Sequence, residues 1–166
     1  MNEIFSRISV RKYKNQPVEK EKLELLLKAA MASPTACNQQ GWEFLVVTDK
    51  DNLQKLSKSS DFTYMTAGAG AAIVVLSNRL TAFRHEYLEQ DLGACCENIL
   101  LEAVSLGLGA CWQGIAPVQE RMDYISELFN LPEHIVPFSI IAIGYPDEGH
   151  PQINRYDENK VHWDQF

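Results

Sequence analysis

Apolar residues recur at helical spacing near the start of the chain. Over residues 19–32 they fall three and four positions apart and form one face of an amphipathic helix, made of Leu23, Leu26, Leu27, Ala30 and Met31. We expect this helix to end at Ser33-Pro34, because the residue before a proline disfavours the helical conformation. Shorter helices are predicted at the start of the chain, ending near Ile8, and over 51–58.

Short runs of apolar and aromatic residues predict four strands. They cover residues 42–47, 71–77, 110–115 and 136–144, and turn-forming residues bound them. Helices are predicted over 86–106, and from Pro117, a residue that suits a first helical turn, to about Phe129. Strands interleaved with helices are typical of an α+β or α/β fold.

The helix predicted over 86–106 is apolar almost all round. One face carries Leu88, Leu92, Cys95, Ile99, Ala103 and Leu106. Its other faces carry Ala94, Cys96, Leu100, Leu101 and Val104. Such a helix is buried at the centre of a domain or against a second subunit, so the pattern is a first indication of a dimer.

Length and composition restrict the class of protein. We expect one domain over residues 1–166, with the polar stretch 150–166 as a C-terminal arm. Fifteen basic and 22 acidic residues give a net charge of −7, which argues against nucleic-acid and anionic-membrane partners. The chain has no secretory signal at its start and no apolar run of about 18 residues, so we expect a cytoplasmic protein.

Neither a metal site nor a dinucleotide fingerprint is expected. The cysteines (37, 95, 96 and 111) form no CxxC pair and the histidines are scattered, so free thiols in a reducing cytosol are the better interpretation. In Gly68-Ala69-Gly70 the strand follows the glycines, whereas the fingerprint requires a strand before them and a helix after them.

Three polar clusters are candidates for a binding site. If Arg7-Ile8-Ser9-Val10-Arg11 is extended, residues 7, 9 and 11 point to one side, where guanidinium groups could bind a phosphate. The loop 33–40 carries amides that could read the edge of a heterocycle, and 110–114 lies at a strand end. Taken singly, the first could instead be a solvated basic stretch, the second an ordinary loop, and the third a piece of core packing.

In this order the clusters resemble the nitroreductase family of flavoenzymes. Arg7-Ile8-Ser9-Val10-Arg11 resembles the family's Arg-x-Ser-x-Arg/Lys site, and Ser33–Trp42 its Ala-Pro-Ser-x-x-Asn-x-Gln-Pro-Trp loop. The resemblance continues through Gln90-Asp91-Leu92-Gly93-Ala94, Ile143-Gly144-Tyr145-Pro146 and Val161-His162-Trp163. Three features differ: the chain is short, Gly41 replaces a proline, which predicts a looser loop, and Gln113-Gly114 matches the family's usual residues only loosely.

The resemblance implies an α+β nitroreductase-like fold, with a central, mostly antiparallel sheet flanked by helices. It also implies an intertwined homodimer with FMN between the subunits. Arg7, Ser9, Arg11 and Arg155 would surround the phosphate, with Ile8 beside them. Pro34, Thr35 and Asn38 of the other subunit would flank the flavin ring, and the backbone of Cys111, Trp112, Gln113 and Gly114 would pass near its reactive edge.

The function implied is an FMN-dependent oxidoreductase that passes electrons from NAD(P)H to a small organic acceptor of the nitroaromatic, quinone or enone type. No side chain is expected to be a catalytic acid or base, because the chemistry belongs to the cofactor. Two alternatives remain open. The protein could bind flavin for storage or sensing without NAD(P)H turnover, or it could catalyse reductive dehalogenation or flavin fragmentation.

Overall fold

A four-stranded antiparallel sheet lies at the centre of the computed structural model, which describes residues 3–149, 151 and 154–166. The strand order is β1-β2-β4-β3, with β1 at Trp42–Val47, β2 at Ala71–Asn78, β3 at Gly109–Gly114 and β4 at Ile135–Gly144. The helices are α1 Glu3–Ser6, α2 Lys20–Met31, α3 Lys50–Leu56, α4 Leu88–Ser105 and α5 Gln119–Phe129. The α+β prediction with an antiparallel sheet is confirmed.

The sheet is buried on both faces. Alternate residues of the two central strands point to opposite sides, so Ile73 and Ile141 pack with α2 and α4, while Val74 and Ile140 pack in a second cluster with residues of α3 and α5. Every residue of β2 is buried. This burial explains why the strands read as continuous apolar runs rather than as alternating ones.

The helix boundaries differ by one or a few residues from those predicted. α4 runs from Leu88 to Ser105, within the predicted 86–106. α5 begins at Gln119 rather than Pro117, because Val118 keeps an extended backbone at the N-cap position. α1 ends at Ser6, before the predicted Ile8, because the chain then becomes extended and pairs with the sheet.

Residues 9–14, here called the N-terminal segment, join two distant parts of the sheet. Ser9 forms a parallel bridge with Ala110 of β3, and the Val10 N–H donates to the Ala110 carbonyl over 3.0 Å. Further along, the Lys14 N–H donates to the Tyr145 carbonyl over 2.8 Å, just beyond the end of β4. The segment therefore lies against the edge of β3 and the exit from β4.

Gly109 allows this segment to approach β3 closely. A Cβ atom on Gly109 would lie 2.7 Å from Val10 Cγ2, and Val10 is buried. We expect Gly109→Ala to destabilise the protein by about 1–3 kcal/mol through overpacking. Val10→Ala removes the two clashing Cγ atoms but keeps the Cβ, which would still lie 2.8 Å away, so it should cost somewhat less in the Gly109→Ala background than in the wild type. Denaturant unfolding of the four proteins measures this coupling, and additive costs would contradict it.

Two adjacent buried thiols of α4 should make the free energy of unfolding depend on pH in the alkaline range. Burial raises the pKa of Cys95 to about 11 and that of Cys96 to about 12, from an ordinary value of 9.0. Between pH 9.0 and about 11 the unfolded chain loses these protons while the folded chain keeps them, so the free energy of unfolding should fall as the pH rises. Cys96→Ala should make the fall shallower. An identical pH profile in this variant would contradict the assignment.

The C-terminal tail carries large apolar side chains that are exposed. Residues 154–166 contain one short 3-10 turn at Glu158–Lys160, and part of the predicted arm lies outside the described residues. Trp163 is 83% exposed and Phe166 is fully exposed.

None of the helices that the structure describes is both long and apolar enough to cross a membrane.

Candidate functional site

Arg7, Ser9 and Arg11, here called the arginine cluster, lie beside β3. Arg7 directly follows α1, and its Nε atom is 3.6 Å from Glu97 Oε1 of α4. Arg11 is exposed, and its Nη1 atom donates to the Ser9 carbonyl over 3.3 Å. Val10, between Ser9 and Arg11, is buried, whereas Arg7, Ile8 and Ser9 are all half-buried. Both guanidinium groups can therefore reach an anion at the surface.

Glu148 fixes the backbone of this cluster. Its Oε1 atom accepts hydrogen bonds from the Arg11 N–H over 2.6 Å and from the Lys12 N–H over 3.2 Å. The Asp147 N–H also donates to the Lys12 carbonyl over 3.0 Å. Sequence reasoning missed Glu148, and the one available signal was an acidic residue in the turn that follows the last strand.

The side chains of β3 alternate between two environments. Cys111 and Gln113 are buried, whereas Trp112 is partly exposed and packs against Phe138 with the ring centroids 6.1 Å apart. Burial raises the pKa of the Cys111 thiol, and the positive charges of Arg11 and Arg7 oppose that shift. The positive charges of the arginine cluster therefore act on the face of β3 that carries Cys111.

Gln113 has an amide group that is only half satisfied. Its Oε1 atom accepts a hydrogen bond from Thr66 Oγ1 over 2.9 Å, and Thr66 is fully buried. Its Nε2 atom is buried and has no hydrogen-bond partner among the described residues. Buried amides are nearly always paired, so this group fits a ligand that offers an acceptor atom. Sequence reasoning missed Thr66, which lies in the 3-10 turn Tyr64–Gly68.

The loop after α2 has a strained backbone. Cys37, Asn38 and Gln40 have φ angles of 51°, 55° and 50°, in the left-handed region that residues other than glycine seldom adopt. Asn38 is exposed, and its Oδ1 atom accepts a hydrogen bond from Gln40 Nε2 over 2.9 Å. Pro34 is exposed as well. Strain of this kind often occurs where a loop must present atoms to a ligand.

A buried pair, here called the Gln39–Asp91 clamp, holds this loop in place. Asp91 of α4 accepts from Gln39 Nε2 over 2.7 Å and from the Ala36 N–H over 2.9 Å. The Oε1 atom of Gln39 accepts from the backbone N–H groups of Phe83 and Arg84, over 3.2 and 2.8 Å. The clamp therefore ties the loop to α4 and to the segment that precedes it. Sequence reasoning missed both roles.

The loop packs closely against its neighbours at Gly41, and the expectation that this glycine loosens the loop stays a prediction. A Cβ atom here would lie 2.8 Å from Ala82 Cβ and 2.9 Å from Leu88 Cδ2. The Gly41 carbonyl also accepts the Asn78 N–H over 2.8 Å. A glycine at this position lets the loop pack directly against the chain that leaves β2.

The residues predicted for the site fall into two groups within one chain. Arg7, Ile8, Ser9 and Arg11 lie next to the strand that carries Cys111, Trp112, Gln113 and Gly114. Pro34, Thr35 and Asn38 lie on the clamped loop, and Arg155 is exposed in the tail. Among the described residues, no hydrogen bond or ion pair joins the second group to the arginine cluster. Their place in the site stays a prediction.

The first group has the chemistry of an anion site with an adjoining polar slot. Two guanidinium groups can neutralise a phosphate, and the described part of the chain supplies no acceptor for the Gln113 Nε2 group. No group of three metal-ligating side chains occurs in that part. The fold is that of an α+β protein with an antiparallel sheet, and the arginine cluster is its candidate anion site.

The chain belongs to the nitroreductase family, whose model matches residues 4–61 and 59–145. A protein of Archaeoglobus fulgidus, provisionally named an NADH dehydrogenase/NAD(P)H nitroreductase, is 39% identical over 163 residues, covering 96% of this chain and 94% of its own. A crystal structure from Clostridium acetobutylicum, provisionally named an NADH oxidase, is 44% identical with a TM-score of 0.96, over 99% of both chains. An FMN-dependent nitroreductase of Clostridium difficile is 33% identical with a TM-score of 0.93, again over 99% of both chains.

Proposed function

We propose that the protein is an FMN-dependent oxidoreductase that takes electrons from NAD(P)H and passes them to a small organic acceptor of the nitroaromatic, quinone or enone type. The observation that carries the proposal is the arginine cluster next to a strand whose buried Gln113 Nε2 group has no partner among the described residues. The names of the relatives, an NAD(P)H nitroreductase and an FMN-dependent nitroreductase, agree with it.

The residues present fit FMN. A phosphate dianion requires fixed cations, which Arg7 and Arg11 supply in an otherwise acidic chain of net charge −7. The Ser9 hydroxyl can complete the phosphate site. The Gln113 amide supplies a donor for a ring atom, and Cys111, Trp112 and Gly114 supply the strand backbone beside it.

When bound, FMN supplies the redox chemistry, and the chain binds and orients it. We assign no catalytic acid or base. Burial raises the pKa of Cys111, and it raises the pKa of Tyr13 well above its usual range, so both groups stay protonated near neutral pH. Protons are therefore exchanged with solvent, and the role of the protein is to hold the phosphate and the ring.

We propose further that the working unit is a homodimer. Ile4, Phe5 and Met31 are 60%, 69% and 52% exposed, and Trp163 of the tail is 83% exposed. Exposed large apolar side chains on α1 and α2 favour a partner surface. A second copy would bring Pro34, Thr35 and Asn38 to the flavin of the first, and its tail would bring Arg155. Sedimentation of wild type and Phe5→Asp tests this: a monomeric wild type that holds FMN would refute it.

The enzyme that we propose is cytoplasmic. An anaerobic titration of the purified protein tests its activity. The purified protein should show the absorption bands of bound oxidised flavin, which should bleach on addition of NADH or NADPH and return when a nitroaromatic or a quinone is added. Bleaching by dithionite but by neither nucleotide would favour the flavin-storage or sensing alternative. A colourless protein that also fails to bind added FMN would overturn the proposal.

A further inference from the structure

Thr66 and Gln113 form a buried polar pair that no other part of the molecule explains. Thr66 has no exposed surface, and Gln113 is 4% exposed. The hydroxyl of Thr66 donates to Gln113 Oε1 over 2.9 Å. Because the two ends of an amide point in opposite directions, this contact turns the Nε2 group away from Thr66, where it is left without a partner in the part of the chain that the structure describes.

The Gln113 Nε2 group and the arginine cluster lie a short distance apart along β3. Ser9 is bridged to Ala110, and Gln113 lies three residues further along β3, about 10 Å at roughly 3.4 Å per residue. Cys111 shares its side of the strand and feels the charges of Arg11 and Arg7. A ribityl chain can bridge a distance of this size between a phosphate at the cluster and a ring at Gln113.

We infer that the Gln113 amide N–H donates a hydrogen bond to an acceptor atom of the flavin ring, and that Thr66 is a positioning residue that holds the amide in this orientation. The inference rests on the proposed function. A fixed donor at the ring stabilises the negative charge that the cofactor gains on reduction. Reduced FMN should therefore gain more from Gln113 than oxidised FMN does.

Four variants separate the two roles. Gln113→Leu removes the donor, and Gln113→Glu replaces it with an acceptor. Thr66→Val removes the hydroxyl at nearly constant volume, and Thr66→Ser keeps the hydroxyl. Gln54→Leu, at an exposed glutamine of α3, is the matched control. For each protein we would measure the two-electron reduction potential of the bound flavin, the Kd for FMN and riboflavin, and the unfolding midpoint.

Gln113→Leu and Thr66→Val should weaken the binding of reduced FMN about tenfold relative to oxidised FMN. This change makes the potential about 30 mV more negative. Gln113→Glu should shift the potential further in the same direction, while Thr66→Ser and Gln54→Leu should behave as the wild type. Because the contact is to the ring, riboflavin binding should weaken as FMN binding does.

Three results would overturn the inference. An unchanged reduction potential in folded Gln113→Leu would show that Gln113 does not contact the ring. If the reduction potential shifts in Gln113→Leu but not in Thr66→Val, Thr66 does not position the amide. A lower unfolding midpoint without any change in potential would show a structural pair only. A wild type that binds no FMN would instead refute the proposed function.

Discussion

Replacing Arg11 with alanine should raise the Kd for FMN about 10- to 100-fold and leave the Kd for riboflavin nearly unchanged. A hydrogen bond to a charged group contributes about 1.5–3 kcal/mol, and tenfold in Kd corresponds to about 1.4 kcal/mol. Riboflavin lacks the phosphate, so it does not experience the missing charge. The Arg11 side chain is exposed and, among the described residues, hydrogen-bonds to the Ser9 carbonyl, a main-chain neighbour, so the unfolding midpoint should change little.

Lys14→Ala is the matched control for this prediction. Lys14 lies three residues away in the N-terminal segment, is exposed, and carries the same charge as Arg11. Fluorescence titrations of both variants at two salt concentrations would separate a local contact from the general field, because salt screens the field more strongly. Equal losses of FMN affinity in the two variants, or an equal loss for riboflavin in Arg11→Ala, would refute a specific phosphate contact.

Replacing Gln39 with methionine should lower the free energy of unfolding by about 2–4 kcal/mol. The variant keeps the length of the side chain but leaves the Phe83 and Arg84 N–H groups without their acceptor. It also removes one donor from the buried Asp91 carboxylate. Each buried polar group left unpaired costs about 1–3 kcal/mol. Denaturant unfolding at a fixed protein concentration measures the loss, since dimerisation would make stability depend on concentration.

The neighbouring glutamine provides the control. Gln40 is exposed, and its Nε2 atom donates to the exposed Asn38 Oδ1, so Gln40→Met should change the free energy of unfolding by no more than about 0.5 kcal/mol. If the two variants lose similar amounts, the clamp does not stabilise the loop in the way the hydrogen bonds indicate. Limited proteolysis within residues 33–41 should be faster in Gln39→Met alone.

Much of the fold could be predicted because its elements are local patterns. β2 and β4 are buried on both faces, and this makes them continuous apolar runs in the sequence. α2 was predicted to within one residue at each end because its buried side chains repeat at helical spacing. The start of α5 was predicted too early, because Pro117 suits a first helical turn but Val118 stays extended.

The candidate site was less predictable because its partners are far apart in the chain. Arg7 and Arg11 could be nominated from their spacing, since that spacing is local. The pairing of Thr66 with Gln113 and of Gln39 with Asp91 joins residues 47 and 52 positions apart, and no periodicity encodes either pair. The left-handed conformation of Cys37 carried no signal in the sequence, because no glycine marks it. Asp91 offered one hint, as an acidic residue within an apolar helix.

The contact between Glu148 and Arg11 has a consequence for the order of folding. The two residues lie 137 positions apart, so the backbone of the arginine cluster cannot be fixed until nearly the whole chain has left the ribosome. Closing so long a loop is entropically costly, and contacts of this kind form late. The first residues synthesised are therefore among the last to reach their final positions, and a truncation before Glu148 would take from the Arg11 and Lys12 N–H groups the carboxylate that accepts their hydrogen bonds.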